Sequence, residues 1–140
     1  MPTRISVPIE VRYIETDQMS RVHHASYVAW MEVARTKLCQ ETGYSYAQIE
    51  AMGYFLMVVG LELRYSGAAL YGDTVQIECW VKELGSRTLR FGYDVLREGQ
   101  RITSGETYHV WVERASGRPC SMPAPLREPF ARLAAGDGSR

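Results

Sequence analysis

Tyr13-Ile14-Glu15-Thr16-Asp17-Gln18-Met19-Ser20-Arg21-Val22-His23-His24-Ala25-Ser26-Tyr27-Val28-Ala29-Trp30-Met31-Glu32-Val33-Ala34-Arg35 decides how this chain folds. The run starts where an alternating segment ends, crosses a polar loop, and from about His24 has the spacing of a long helix. The first two turns of that helix carry Tyr27, Val28, Ala29, Trp30, Met31, Val33 and Ala34, apolar on most sides. A helix apolar nearly all round is buried rather than laid on a surface. Its N-terminus then points free backbone N–H groups into a dry place. One carboxylate, Asp17, sits in the loop just upstream. The combination suits attack on a carbonyl, with the N–H groups holding the oxygen that becomes negative.

On the N-terminal side, Ile5, Val7, Ile9, Val11 and Tyr13 alternate with other residues and predict a strand with one buried face. Pro8 has no N–H to give, which points to an edge position or an irregular start. On the C-terminal side the helix runs to Gln40 or Glu41. Tyr27, Met31, Ala34 and Leu38 form its apolar stripe, and Glu32, Arg35, Thr36 and Gln40 its wetter side. Glu32 and Arg35 are spaced for an ion pair on that face. Gly43 is a natural stop. Ser45 with Gln48 reads as a capping box for a short second helix ending near Gly53.

The remainder reads as strands. Met57, Val59, Leu61, Leu63 and Tyr65 alternate, as do Val75, Ile77, Cys79 and Val81, then Leu89, Phe91, Tyr93 and Val95, then Tyr108, Val110 and Val112. Turns fall at Tyr71-Gly72-Asp73, Gly85-Ser86 and Glu98-Gly99-Gln100. Short connections predict antiparallel neighbours, and Gly105 predicts a bulge. Pro119, Pro123 and Pro125 end regular structure before a small helix over Leu126 to Leu133. Residues 1–135 read as a single domain and 136–140 as a disordered tail. The order gives an α+β fold, one curved antiparallel sheet wrapped around one long central helix. Trp80, Leu96 and Trp111 read as apolar residues on the outer sheet face, which predicts a second subunit covering them.

Of the 140 residues 46% are hydrophobic and 23% charged, with a formal net charge of zero. That is the composition of one globular domain and argues against nucleic acid or an anionic membrane as partner. Three well-separated cysteines, Cys39, Cys79 and Cys120, argue against a disulfide framework or zinc knuckle and for a reducing, cytoplasmic setting. Met1 to Arg12 alternates rather than forming the apolar block of a leader, and no apolar run reaches membrane-spanning length. Adjacent residues on a forming helix diverge by about 100 degrees, so His23 and His24 chelate poorly together and no metal is expected.

Asp17, Ser20, Val22, His24 and Tyr27 fit the pattern Asp-x-x-(small)-x-Val-x-His-x-x-Tyr, with Glu32 and Arg35 following on the helix. This resembles the hot-dog-fold acyl-CoA thioesterases, specifically the 4-hydroxybenzoyl-CoA thioesterase and YbgC-type branch. The resemblance continues through Tyr65 and Gly72-Asp73. It implies hydrolysis of an acyl-CoA, carrying a small, medium or aryl acyl group, to free acid and coenzyme A without a cofactor. By the same resemblance Asp17 attacks the thioester carbonyl or acts as general base on water. The backbone N–H at His24, aimed by the helix, polarises the thioester oxygen, and the imidazole is secondary. Candidate substrate contacts are His23, Ala25, Tyr27, Phe55, Val59, Arg87 and Arg90. Arg87 and Arg90 offer a cationic rim for coenzyme A phosphates, although solvated strand faces explain them equally well. For Tyr27, Trp30, Met31 and Phe55, core packing competes with an acyl pocket. Glu32 is a lesser catalytic candidate, because another hot-dog branch uses a helix glutamate.

The family also implies two sheets joined edge to edge, active sites at the subunit boundary, and pairing of dimers into homotetramers. Two positions depart from it. Ser20 stands where glycine is usual, and a left-handed conformation there is strained for serine. Ala68 replaces a common proline. Three other readings stay open: a hydratase or dehydratase of acyl thioesters, a non-catalytic acyl-CoA-binding module, and a thioesterase for acyl carrier protein. Against the hydratase, Asp17 and His23 lack the Asn-Pro usually found between such a pair.

Overall fold

A computed structural model describes residues 1–136. In chain order the elements are β1 (Ile5–Glu10), a 3-10 turn (Tyr13–Glu15), α1 (Ser26–Gln40), α2 (Tyr46–Ala51), β2 (Tyr54–Tyr65), β3 (Thr74–Leu84), β4 (Thr88–Arg97), β5 (Gln100–Glu113) and α3 (Ala124–Ala135). The five strands form one sheet in the order β1-β3-β4-β5-β2. Every pairing is antiparallel. Pro8 lies in β1, an edge strand, as its missing donor requires. The capping box of Ser45 and Gln48 starts α2 as read. Of the tail read at 136–140, residues 137–140 lie outside the described residues. Among the described residues no helix is long and apolar enough to cross a membrane.

The core forms where α1 meets the inner face of the sheet. Tyr27, Met31, Ala34 and Leu38 are each at most 2% exposed, against an inner face carrying Ile77, Cys79, Phe91 and Tyr93. Each large apolar side chain so buried is worth about 2 kcal/mol. Gly105 is the seat that allows this approach. A Cβ there would stand 3.0 Å from the Met31 Cε and 2.6 Å from the Leu63 Cδ2. It makes no bulge, since it pairs regularly with Leu63 and Tyr93.

Register shifts fall instead at Val58/Gly60, Val81/Glu83 and Val95/Leu96. The first of these changes the reading of β2. Val58 pairs with His109 and Leu61 with Thr107, so Val58 and Leu61 share the inner face although three residues apart. Met57, Val59 and Leu61 therefore do not lie on one face. The Tyr71-Gly72-Asp73 turn likewise joins strands that are not neighbours, because β2 pairs with β5 at the far edge. The crossover runs over the end of the sheet, where the Ala69 N–H donates to the Tyr27 hydroxyl at 3.2 Å.

Three further expectations are corrected. Arg35 is not on a wet face and does not pair with Glu32. It is 8% exposed, and its Nε and Nη1 each donate at 3.1 Å, to the hydroxyls of Tyr46 and Tyr93. From Tyr93 the chain of hydrogen bonds continues to Thr107 at 2.7 Å and to the His109 Nε2 at 2.8 Å. Trp111 is not on the outer face but fully buried, edge-on to Phe130 of α3. The outer face is instead a field of charge pairs: Arg4 with Glu78 and Asp94, Arg101 with Asp94, Lys82 with Glu106, and Arg90 with Glu83. Trp80 lies there across Gly92, under the Arg4 guanidinium. Finally, α1 is not covered all round. Ala29 and Val33 remain exposed, as do Met57, Val58, Val59 and Leu61 of β2.

Candidate active site

Beyond the 3-10 turn the chain doubles back on itself. The Glu15 carbonyl accepts the His23 N–H at 2.7 Å, Thr16 bridges Val22, and the Asp17 N–H donates to the Arg21 carbonyl at 2.8 Å. Asp17 thus opens the tip of a tight hairpin whose other arm leads into α1. Its Oδ1 accepts from the N–H groups of Met19 at 2.8 Å and Arg21 at 3.3 Å. Its Oδ2 receives no hydrogen bond among the described residues. One oxygen fixes the carboxylate and the other stays available. The carboxylate is exposed in a single chain. The loop closes through Ser20, which adopts the left-handed conformation at φ 62° despite its side chain.

The start of α1 lies at Ser26, two residues later than the spacing suggests. The reason is local: the Ala25 N–H donates to the His23 Nδ1 at 3.2 Å, and the His23 carbonyl accepts the Ser26 N–H at 2.9 Å. A trans peptide sets the N–H opposite the C=O. With the His23 carbonyl turned into the helix, the His24 N–H is turned out of it, and it meets no acceptor among the described residues. The His24 carbonyl is held by the Tyr65 hydroxyl at 3.0 Å. Burial, and then the neighbouring Tyr27 phenol, push the Tyr65 phenol up, which keeps it a donor. The imidazoles of His23 and His24 do not diverge. Because both precede the helix, their rings lie 4.2 Å apart, tilted by 31° to each other. Among the described residues there is no group of three metal-binding side chains.

Tyr27 stands beneath this mouth as a strut. Its ring packs on Trp30 and Tyr65, and its hydroxyl serves the crossover. The remaining candidates sit elsewhere in the chain. Phe55 and Tyr65 are ten positions apart on β2, about 33 Å at the rise of a strand. The Arg87 carbonyl accepts the Trp111 N–H, which places Arg87 at the Phe55 end. Arg90 lies on the outer face, stacked on Tyr108 and paired with Glu83. Val59 is at the β2 register shift, halfway between. One chain therefore brings Asp17, His23, His24, Ala25, Tyr27 and Tyr65 to one end. It does not bring Phe55, Val59, Arg87 or Arg90 to them.

Glu15 is the residue that sequence reasoning missed. Its carboxylate is buried and accepts from the Trp30 indole N–H at 2.8 Å, the Arg12 N–H at 2.8 Å and the Arg12 Nη2 at 3.2 Å. Burial alone would push this carboxyl up. The Arg12 N–H, the indole and the Arg12 guanidinium together outweigh it and hold the group below its ordinary range. The available signal was Trp30 itself, since a buried indole N–H needs an acceptor.

Residues 11–130 match the model of the thioesterase-like superfamily. YneP of Bacillus subtilis, named as an acyl-CoA thioesterase, is 35% identical over 79% of this chain and 81% of its own length. The acyl-CoA thioester hydrolase YbgC of Escherichia coli is 26% identical over 88% of this chain and 92% of its own. Among solved structures, a DHNA-CoA thioesterase from Staphylococcus aureus superposes with a TM-score of 0.89 at 27% identity, covering 94% of this chain and 91% of that one. The fold is thus the hot-dog fold, with an α+β sheet around its central helix. The chain belongs to the thioesterase-like superfamily, among the hot-dog acyl-CoA thioesterases of YbgC type. It is a thioester hydrolase.

Proposed function

We propose that this enzyme hydrolyses acyl-CoA thioesters, releasing a free acid and coenzyme A, with Asp17 and the His24 N–H as its working groups. The observation that carries the reading is the outward His24 N–H, unbonded among the described residues and just ahead of α1, with the Asp17 carboxylate held on the same hairpin. The thioester oxygen accepts the His24 N–H, where the helix dipole favours negative charge. Asp17 then either attacks the carbonyl carbon, forming an anhydride that water cleaves, or removes a proton from an attacking water. Either way coenzyme A leaves as its thiol, and no cofactor is needed.

The separation of the candidate residues supports a homodimer. A two-fold that pairs the β2 edges of two copies runs the strands antiparallel, so Phe55 of a second copy approaches Tyr65 and His24 of the first, and Val59 lies near the middle of the seam. It also covers Met57, Val58, Val59 and Leu61, which a lone chain leaves open. Such a boundary supplies the dry surroundings that Asp17 lacks in a single chain, with Arg87 and Arg90 as a rim for phosphates. Pairing of two dimers into a tetramer, by contrast, would meet the charged outer face. Three free cysteines, two of them buried, suit a cytoplasmic enzyme.

Thiol release across aliphatic and aryl acyl-CoAs tests the activity and reads out the acyl group. Appearance of free thiol with the wild type and none with Asp17→Ala is the expected result. Hydration without thiol release would favour the hydratase reading, and tight binding without either reaction the non-catalytic one.

A further inference from the structure

We infer that Glu15 is a positioning residue for hydrolysis, a buried carboxylate that holds the Asp17 hairpin and the start of α1 in register with each other. The inference rests on the roles of Asp17 and the His24 N–H proposed above. Glu15 grips both parts at once. Its Oε2 accepts the Trp30 indole N–H at 2.8 Å, one turn inside the helix. Its Oε1 accepts the Arg12 N–H at 2.8 Å, which fixes the 3-10 turn that precedes the hairpin. Its carbonyl accepts the His23 N–H at 2.7 Å and the Ser26 hydroxyl at 3.2 Å. Asp17 lies two residues further on, and His24 directly follows His23.

The residue does not touch substrate, because it is 7% exposed and both carboxylate oxygens are occupied. Stability alone does not explain it either. An apolar side chain would fill the same space without desolvating a charge. What the carboxylate adds is direction: bonds of fixed length to the helix body on one side and the loop base on the other. A nucleophile displaced by about 1 Å loses roughly a hundredfold in rate, so a clamp at this point acts on turnover rather than on affinity.

The test is steady-state thiol release by Glu15→Gln, Trp30→Phe, the double variant, Asp17→Asn, and Glu15→Gln on the Asp17→Asn background. Folding is followed by thermal melting. Glu15→Gln and Trp30→Phe should each lower kcat roughly ten- to hundredfold with KM nearly unchanged. The double variant should be no worse than the poorer single one, because both break the same clamp. On the Asp17→Asn background the Glu15 change should cost nothing further. Wild-type kcat in Glu15→Gln would overturn the inference, as would multiplicative losses in the double variant. Should Glu15→Gln fail to fold, Trp30→Phe decides alone: unchanged kcat overturns the inference. If Asp17→Asn keeps native turnover, the catalytic reading itself falls, whatever Glu15 does.

Discussion

Ser20 concentrates the conflict between sequence and backbone at the scale of single residues. The hairpin demands a left-handed residue at this position, and serine takes it at φ 62°. The cost of that conformation for a residue with a Cβ is about 1 kcal/mol. Ser20→Gly should therefore raise stability by about that amount, a shift of a few degrees in melting temperature, while thiol release stays near wild type. A lower melting temperature would mean that the hydroxyl is making up for the strain. His24 gives a second contrast. If the backbone does the work, His24→Ala should keep most turnover, and complete inactivation would point to the ring instead. What the sequence revealed at this scale depended on whether a residue acts locally. The Ser45 capping box is a local device and could be read directly. Arg35 and Glu15 take their meaning from Tyr93 and Trp30, far along the chain, so spacing suggested a surface ion pair for one and nothing for the other.

The elements were legible in kind and less so in arrangement. Period-3.6 and period-2 patterns marked α1 and the strands. A single extra residue near Val59 then inverted the phase of half of β2, and no periodicity announces such a shift. Strand order was hidden too, because the turn after β2 is short although β4 and β5 lie between the two strands it joins. Packing of α1 on Gly105 can be tested directly. Gly105→Ala forces a methyl to 2.6 Å from Leu63 and 3.0 Å from Met31, and should destabilise the fold by about 1–3 kcal/mol in denaturant titration. An unchanged midpoint would show that helix and sheet have slack there.

The polar chain buried between α1 and the sheet makes stability depend on pH. Burial first, and then the charge of Arg35, push the His109 ring down to about 3. An unfolded ring titrates near 6.5, so below that pH the unfolded chain takes up a proton that the folded one refuses. The stability of the neutral buried ring is complete above about pH 6.5 and drains away as pH falls toward the folded value. Over that window the loss is on the order of 4 kcal/mol. His109→Gln should flatten this part of the stability–pH curve, and an unchanged slope would assign the acid sensitivity to another group.

At the scale of the molecule, the proposed homodimer rests on what one chain leaves open. That chain has a long edge strand with Met57, Val58, Val59 and Leu61 half open and a carboxylate in water, and it keeps Phe55 and Arg87 a strand's length from His24. The proposed second copy across β2 would address all three. Leu61→Glu should yield monomers by sedimentation and abolish hydrolysis in the same sample, and an active monomer would mean that the site is complete within one chain. Sequence assigned Trp111 to the outer face, and the structure buries it against Phe130 of α3, a contact made between residues 19 positions apart that no strand periodicity reveals.

The most direct measurement is thiol release from an acyl-CoA by wild type and Asp17→Asn, with melting temperature and acyl-CoA binding recorded on the same preparations. The proposed role of Asp17, whose hairpin leads into the outward His24 N–H, predicts a loss of about a hundredfold or more in kcat, with fold and binding intact. Turnover close to wild type in Asp17→Asn would contradict it.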